Sequence, residues 1–191
     1  MNYSKVITMD KLPKIKKTKI VAQTRIFAVE ELEMEFSNGE QRMYERLKAG
    51  RYGAVMILPV LDKDHFLLIR EYAAGVERYE LAFPKGLIDE GESAEHAANR
   101  ELQEEVGYAA KKLTPLRKIS LAPGYLSHKM DLVIAEGLFE SRLEGDEPEP
   151  IEVVKWRFDE IDTLLQRDDF TEARSIAGLY LLRDYLVRYS S

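Results

Sequence analysis

Along residues 18 to 48 apolar and polar side chains alternate, the period-two pattern of strands with one covered face. Ser37-Asn38-Gly39 interrupts it with the Asn-Gly pair of a tight hairpin. A small antiparallel sheet is predicted there. Ala54 to Leu61 (AVMILPVL) is apolar almost throughout and predicts a buried strand. Phe66 to Arg70 (FLLIR) is predicted as its hairpin partner across the Asp62-Lys63-Asp64 turn. From Ser93 to Val106 the period lengthens: Ala94, Ala97, Ala98, Leu102 and Val106 fall at helical spacing. Ser93 suits the N-cap, and Gly107 is placed to end the helix in a left-handed conformation. Further strands are predicted near Leu116 to Ser120, Met130 to Glu136 and Ile151 to Phe158, and closing helices over Glu160 to Arg167 and Thr171 to Tyr189. Strands on both sides of one central helix, with helices at the end, predict an α+β architecture of the α/β/α sandwich kind.

Length and composition narrow this little. At 191 residues and 45% hydrophobic content the chain suits one domain with a sizeable core plus an appendage. We expect residues 1–48 to form a β arm and residues 49–191 the main domain. The absence of cysteine excludes disulfides, thiolate metal sites and a thiol nucleophile. It also suits a reducing, cytoplasmic setting. The first residues are charged and lack an apolar core of signal-peptide length, and no apolar run is long enough to span a bilayer. A net charge of −6 argues against nucleic acid as a partner. The basic cluster Lys11, Lys14, Lys16, Lys17 and Lys19 reads as a solvated edge strand whose lysines block edge-to-edge pairing, with a polyanion-binding arm as the alternative.

Chemistry concentrates in residues 86 to 108, GLIDEGESAEHAANRELQEEVGY. At 100° per residue, Glu101, Glu104 and Glu105 lie within an arc of roughly 100° on one face of the predicted helix. Like charges at i, i+3 and i, i+4 cost a helix a few tenths of a kcal/mol per pair, so folding gains nothing from them. A glutamate-rich face alone is ordinary solvated surface. The fixed spacing of Gly86, Glu92, Arg100, Glu101, Glu104, Glu105 and Gly107 is not: at roughly 5–8% background each, a chance match is on the order of one in a billion per start position. A diphosphate brought within about 4 Å of these carboxylates meets repulsion of roughly 4 kcal/mol per charge pair at an effective dielectric of 20. Such a site needs cations, and all-oxygen ligation selects magnesium or manganese over zinc. His96 projects away from the glutamates and reads as a surface or packing residue.

These residues, with Leu102 and Tyr108 at the apolar positions, resemble the signature of the Nudix superfamily. The likeness extends over nearly the whole chain, including EFSNGEQRMYER and LEGDEPEP, and is similar to the branch of ADP-ribose pyrophosphatases and bacterial hydrolases of ADP compounds. The resemblance implies a loop-helix-loop holding two or more Mg2+ ions (Mn2+ possible) between two sheets. Glu101 and Glu105 would be principal ligands, Glu104 a further one, the Lys85 carbonyl and Glu149 others. Arg100 would orient carboxylates, and Glu147, in the acidic run before the Ile151-Glu152-Val153 strand, would accept the proton from water. Substrate would be held by Leu87, Pro123 and Tyr125, and by Arg46 and Tyr44 from the arm of a homodimer partner. Pro123 matches the place of a proline in ADP-ribose hydrolases, and Tyr125 that of a tyrosine in dinucleoside-polyphosphate hydrolases. An ordinary Pro-Gly turn at Ala122-Pro123-Gly124-Tyr125 is the alternative.

The chain departs from that pattern at Ala82, where a glutamate is usual and Glu80 stands two residues earlier. It departs also at Ala73, where an arginine often follows the strand end, and at His128, where an acid is common. The implied reaction is hydrolysis of a phosphoanhydride in ADP-ribose, diadenosine polyphosphates or NADH, releasing AMP. The rivals are a hydrolase of oxidised nucleoside triphosphates and a non-catalytic module that binds ADP-ribose or NAD.

Overall fold

The computed structural model describes residues 11–48, 50, 52–145 and 148–189. It consists of two compact units. The first runs up to Gly50 and includes Ala122–His128, and the second comprises the rest of the described chain.

In the first unit β1 (Lys14–Gln23), β2 (Ala28–Glu35) and β3 (Gln41–Lys48) form an antiparallel sheet in that order. The Asn38-Gly39 turn closes β2 onto β3 with Glu35 opposite Gln41, and Gly39 takes φ 85°, where a side chain would be strained. β1 is an edge strand exposed along its length. Its lysines face the glutamates of β2, Lys17 opposite Glu33 and Lys19 opposite Glu31, with Lys16 paired to Glu35 at 3.3 Å. The basic cluster is thus balanced within its own sheet. The Pro-Gly loop belongs with this unit because Leu47 N–H donates to Tyr125 O at 2.8 Å and Ser127 N–H to Leu47 O at 3.1 Å.

The second unit is an α/β/α sandwich with two sheets. β7 (Lys85–Leu87), β4 (Ala54–Pro59), β9 (Lys129–Glu140) and β8 (Tyr108–Ser120) make one, with β4 and β9 parallel. β10 (Glu152–Arg157), β5 (His65–Ala73) and β6 (Arg78–Ala82) make the other. The predicted hairpin of the two apolar strands is therefore corrected. β4 and β5 lie in different sheets, and the pairing at the turn between them is short, a bridge of Val60 with Phe66 and the Leu61 and Asp62 N–H groups donating to His65 O. Both strands are buried on both faces, so each takes an interior place, and a continuous apolar run does not say which neighbour it pairs with.

Alternation on these strands builds two cores. Val55, Ile57, Leu67, Ile69, Val133 and Ala135 face Ala97, Ala98, Leu102 and Val106 of the central helix. Met56, Leu58, Phe66, Leu68, Leu132 and Ile134 face the closing helices, α2 (Ile161–Leu164) and α3 (Ala173–Tyr189), through Ile161, Leu164, Leu179 and Leu182. The short β6 and β7, absent from the sequence reading, are held by neighbours rather than by pattern. Leu81 N–H donates to Asp169 O at 2.6 Å, and β7 pairs with β4 over three residues. Glu80, the displaced acid, is buried in this frame. Its carboxylate accepts from Thr171 N–H at 3.2 Å and from the Thr171 hydroxyl at 2.9 Å, and it pairs with Arg78, so it ties β6 to the segment before α3. Among the described residues no helix is long and apolar enough to cross a membrane.

Candidate active site

The helix expected over Ser93 to Val106 is real but changes character midway. α1 (Ala94–Glu101) starts with the Ser93 hydroxyl accepting from His96 N–H at 3.2 Å, and His96 itself is exposed. From Leu102 to Val106 the turn widens to a π-helix, and Gly107 N–H reaches back five residues to Leu102 O at 3.1 Å. Gly107 then leaves the helix at φ 81°. Single π-turns recur at functional sites, and this one carries Glu104 and Glu105.

β7 sets the opposite wall. Gly86 lies so close to the helix that a Cβ there would overlap the Glu101 carboxylate, which gives this glycine a steric reason in the motif. Lys85 N–H donates to Glu105 Oε2 at 2.9 Å, and Lys85 Nζ pairs with Glu71 at 2.9 Å. Glu105 is only 5% exposed and Glu101 8%. Burial pushes the Glu105 carboxyl up to about 8; the Lys85 charge and N–H oppose this, while Glu101 and Glu71 add to it.

Arg100 is the clamp. Its NH1 donates to Glu101 at 2.8 Å and Glu104 at 2.9 Å, its Nε and NH2 to Glu92 at 3.2 and 3.1 Å, and NH2 also to Leu87 O at 2.8 Å. One guanidinium thus fixes the two helix acids against the β7 loop, in the planar fork geometry that lysine lacks.

Around these groups lies a cavity of about 630 Å³; among the described residues its wall holds six acids, Glu71, Asp89, Glu101, Glu104, Glu105 and Glu144, against the two cations Lys85 and Arg100. Leu87 lines it too, two-thirds exposed. Among the described residues no three acidic or histidine side chains already converge as a preformed cage. Arg100 takes one oxygen each of Glu101 and Glu104, and the Lys85 amide takes one of Glu105. The donor set nevertheless fits a hard divalent cation. It is all oxygen, it has an excess of carboxylates, and it includes a buried acid that burial alone would keep protonated near neutral pH.

The expected residues of the acidic run divide. Glu147 lies outside the described residues. Glu149 accepts from the Tyr79 hydroxyl at 2.5 Å and lines a neighbouring cavity, while Glu144 lines the one that holds the box acids. In the arm unit, Tyr44, Arg46, Pro123 and Tyr125 do come together around one cavity of about 390 Å³, so the Pro-Gly turn is also part of a pocket wall. Arg46 is committed there to Glu30, whose Oε2 accepts from its Nε at 2.8 Å and from its NH2 at 2.6 Å. Sequence reasoning missed Glu71 and Glu144, and gave Glu92 no role. The only available signal for Glu71 was its place at the charged end of a buried strand.

Comparison with known proteins gives concordant matches. The NUDIX domain family matches residues 50–178, and the NudE-type Nudix hydrolase N-terminal domain matches residues 13–46. The chain is 52% identical over 174 residues to ADP compounds hydrolase NudE of Escherichia coli, covering 91% of this chain and 93% of that one. It is 29% identical over 172 residues to the ADP-ribose pyrophosphatase of Bacillus subtilis, covering 86% and 92%. A crystal structure of an ADP compounds hydrolase superposes with a TM-score of 0.87 at 51% identity, covering 93% of this chain and 96% of that one.

Proposed function

This chain belongs to the Nudix hydrolases, and we propose that it hydrolyses ADP-linked compounds (ADP-ribose, NADH and diadenosine polyphosphates) at the phosphoanhydride, releasing AMP. The observation that carries this reading is the clamp of Arg100 on Glu101 and Glu104 beside buried Glu105, with Glu101 packed against Gly86. It is a strongly acidic, oxygen-only pocket, which is of use to a phosphoanhydride only with divalent cations present. A binding module without activity would have no need to retain every one of these carboxylates.

In this reading Glu101, Glu104, Glu105 and the Lys85 backbone hold magnesium or manganese, two or more ions. Bound there, such cations act as Lewis acids and neutralise the leaving phosphate. Arg100 keeps two of the acids aligned. Water adds through its oxygen to one phosphorus, the bridging P–O bond breaks, and Glu147 takes the proton. ADP-ribose yields AMP and ribose 5-phosphate; NADH yields AMP and reduced nicotinamide mononucleotide. The test is the purified protein with magnesium against a panel of ADP-linked compounds and oxidised nucleoside triphosphates, with AMP release followed by chromatography. Release of AMP from the ADP-linked set supports the reading. Turnover confined to the triphosphates would replace it, and no turnover of either would leave a binding module.

We also propose a homodimer built through the arm, with Tyr44 and Arg46 of one arm serving the partner's pocket. The arm exposes Ile15, Ile20, Val21 and Met43, apolar surface of the kind that a second copy covers. Light scattering is expected to give about twice the 22.0 kDa chain mass. A fully active monomer at micromolar concentration would rule this out.

A further inference from the structure

Beside the acid cavity, and sharing Glu71 and Pro148 with it, lies a second one of about 450 Å³. It falls within the volume range of small-molecule sites, and both cavities belong to the same compact unit. The lining is of a different kind: Tyr72, Tyr79, Pro148, Pro150 and Ile151, with carboxylates from Glu149 and Glu152. Tyr72 and Tyr79 are direct cross-strand partners on β5 and β6, and their rings meet edge to face at 5.5 Å. Packing in the core does not explain the pair, because Tyr72 is 50% exposed and Tyr79 47%.

The polar groups say what such a cavity does not take. Among the described residues Arg70 is the single cation in its wall, and it is spent on Glu152 at 3.0 Å and Asp169 at 2.6 Å. No cation is left over for a phosphate, and the carboxylates repel one. Aromatic faces with carboxylate acceptors nearby suit a planar, uncharged ring carrying an N–H donor. A nicotinamide carboxamide and an adenine amino group both answer that description.

Counting rings gives the rest. ADP-ribose has one base, whereas NADH and diadenosine polyphosphates have two. Tyr44 and Tyr125 line a cavity in the arm unit, and Tyr72 and Tyr79 line the one next to the acids. We infer that the Tyr72–Tyr79 cavity receives the base carried by the leaving half of a dinucleotide, so that these tyrosines favour dinucleotides over ADP-ribose. The inference rests on the proposed hydrolysis of ADP compounds and adds a specificity site to it. Glu149, by accepting from the Tyr79 hydroxyl, holds one ring in place.

The experiment compares Tyr72→Ala, Tyr72→Trp and Tyr79→Phe with the wild type on NADH, diadenosine triphosphate and ADP-ribose, with magnesium saturating. Removing a stacking ring costs about 1–3 kcal/mol per base, or roughly 5- to 150-fold. For Tyr72→Ala, kcat/KM on both dinucleotides is expected to fall at least fivefold further than on ADP-ribose. The loss should sit mainly in KM, since stacking is felt alike in ground and transition states. Tyr72→Trp, which keeps a ring, should recover most of it. For Tyr79→Phe the same direction with a smaller effect is expected. The ADP-ribose rate reports whether each variant is folded. An equal fall on all three substrates would overturn the inference, because the ring bound there would then be the adenine they share. No fall on any would overturn it as well. A wild type inactive on the whole set would instead defeat the functional reading, before any variant is made.

Discussion

Replacing Glu105 by glutamine is expected to lower turnover by about 10²- to 10³-fold while leaving the chain folded. The acid is 5% exposed and accepts from Lys85 N–H at 2.9 Å. The amide oxygen of glutamine can keep that bond, so the fold loses no contact. What disappears is the negative charge that holds a cation. Electrostatic help from a bound metal is worth several kcal/mol, and each ~1.36 kcal/mol is tenfold in rate. A second readout separates this from simple damage. Because burial raises the Glu105 carboxyl from near 4.5 to about 8, the metal-free wild type is expected to lose stability as pH rises through that window, where the folded carboxyl still holds its proton and unfolding releases it. Glutamine removes that decline. The metal-free variant should therefore melt at or above the wild-type temperature at pH 8, and magnesium should raise its melting point less. A variant that keeps more than about a tenth of the wild-type rate at saturating magnesium, a change of under ~1.4 kcal/mol, would take Glu105 out of the metal site.

Much of this site was legible before any coordinates, and the reason is local. The spacing from Gly86 to Gly107 lies within one loop-helix-loop, so fixed sequence distances become fixed spatial ones. Ser93 caps, Gly107 terminates and Arg100 reaches Glu104 one turn on, each as periodicity requires. The Asn38-Gly39 hairpin was legible for the same reason. The misses are non-local. Ala54 to Pro59 and His65 to Ala73 have the composition of buried strands, and nothing in either one identifies its sheet. β8 begins at Tyr108, well before the predicted strand, because pairing with β9 holds it through a bulge near Pro115. The π-turn at Leu102–Val106 adds a residue without changing the apolar period enough to be seen. Glu71 and Glu144 reach the acid pocket from a strand end and a loop, over distances that spacing cannot encode.

The acidic run supplies the second large effect. The box acids are poor candidates for the proton acceptor, because Glu101 and Glu104 are tied to Arg100 and coordination to a cation depresses carboxylate basicity. Outside that set the cavity wall holds Glu71, which is paired with Lys85, and Asp89, and the proposed acceptor lies in the run that follows β9. Glu144 and Pro148 of this run line the acid cavity, and in the sequence Glu147 falls between them. The prolines at 148 and 150 disfavour helix there. Glu147→Gln is therefore expected to lower turnover by about 10²-fold or more, with the magnesium concentration for half-maximal rate little changed. Glu149→Gln is the informative partner. Alignment on the following strand makes Glu149 a ligand, whereas its carboxylate accepts from the Tyr79 hydroxyl and lines the tyrosine cavity. If that contact persists in the loaded enzyme, Glu149→Gln leaves magnesium dependence unchanged and shifts KM for dinucleotides. A weakened magnesium dependence would return Glu149 to the metal. A large fall in turnover for Glu149→Gln with none for Glu147→Gln would move the acceptor two residues along the chain. Full activity in both variants would leave Glu144, already at the cavity wall, as the carboxylate to test.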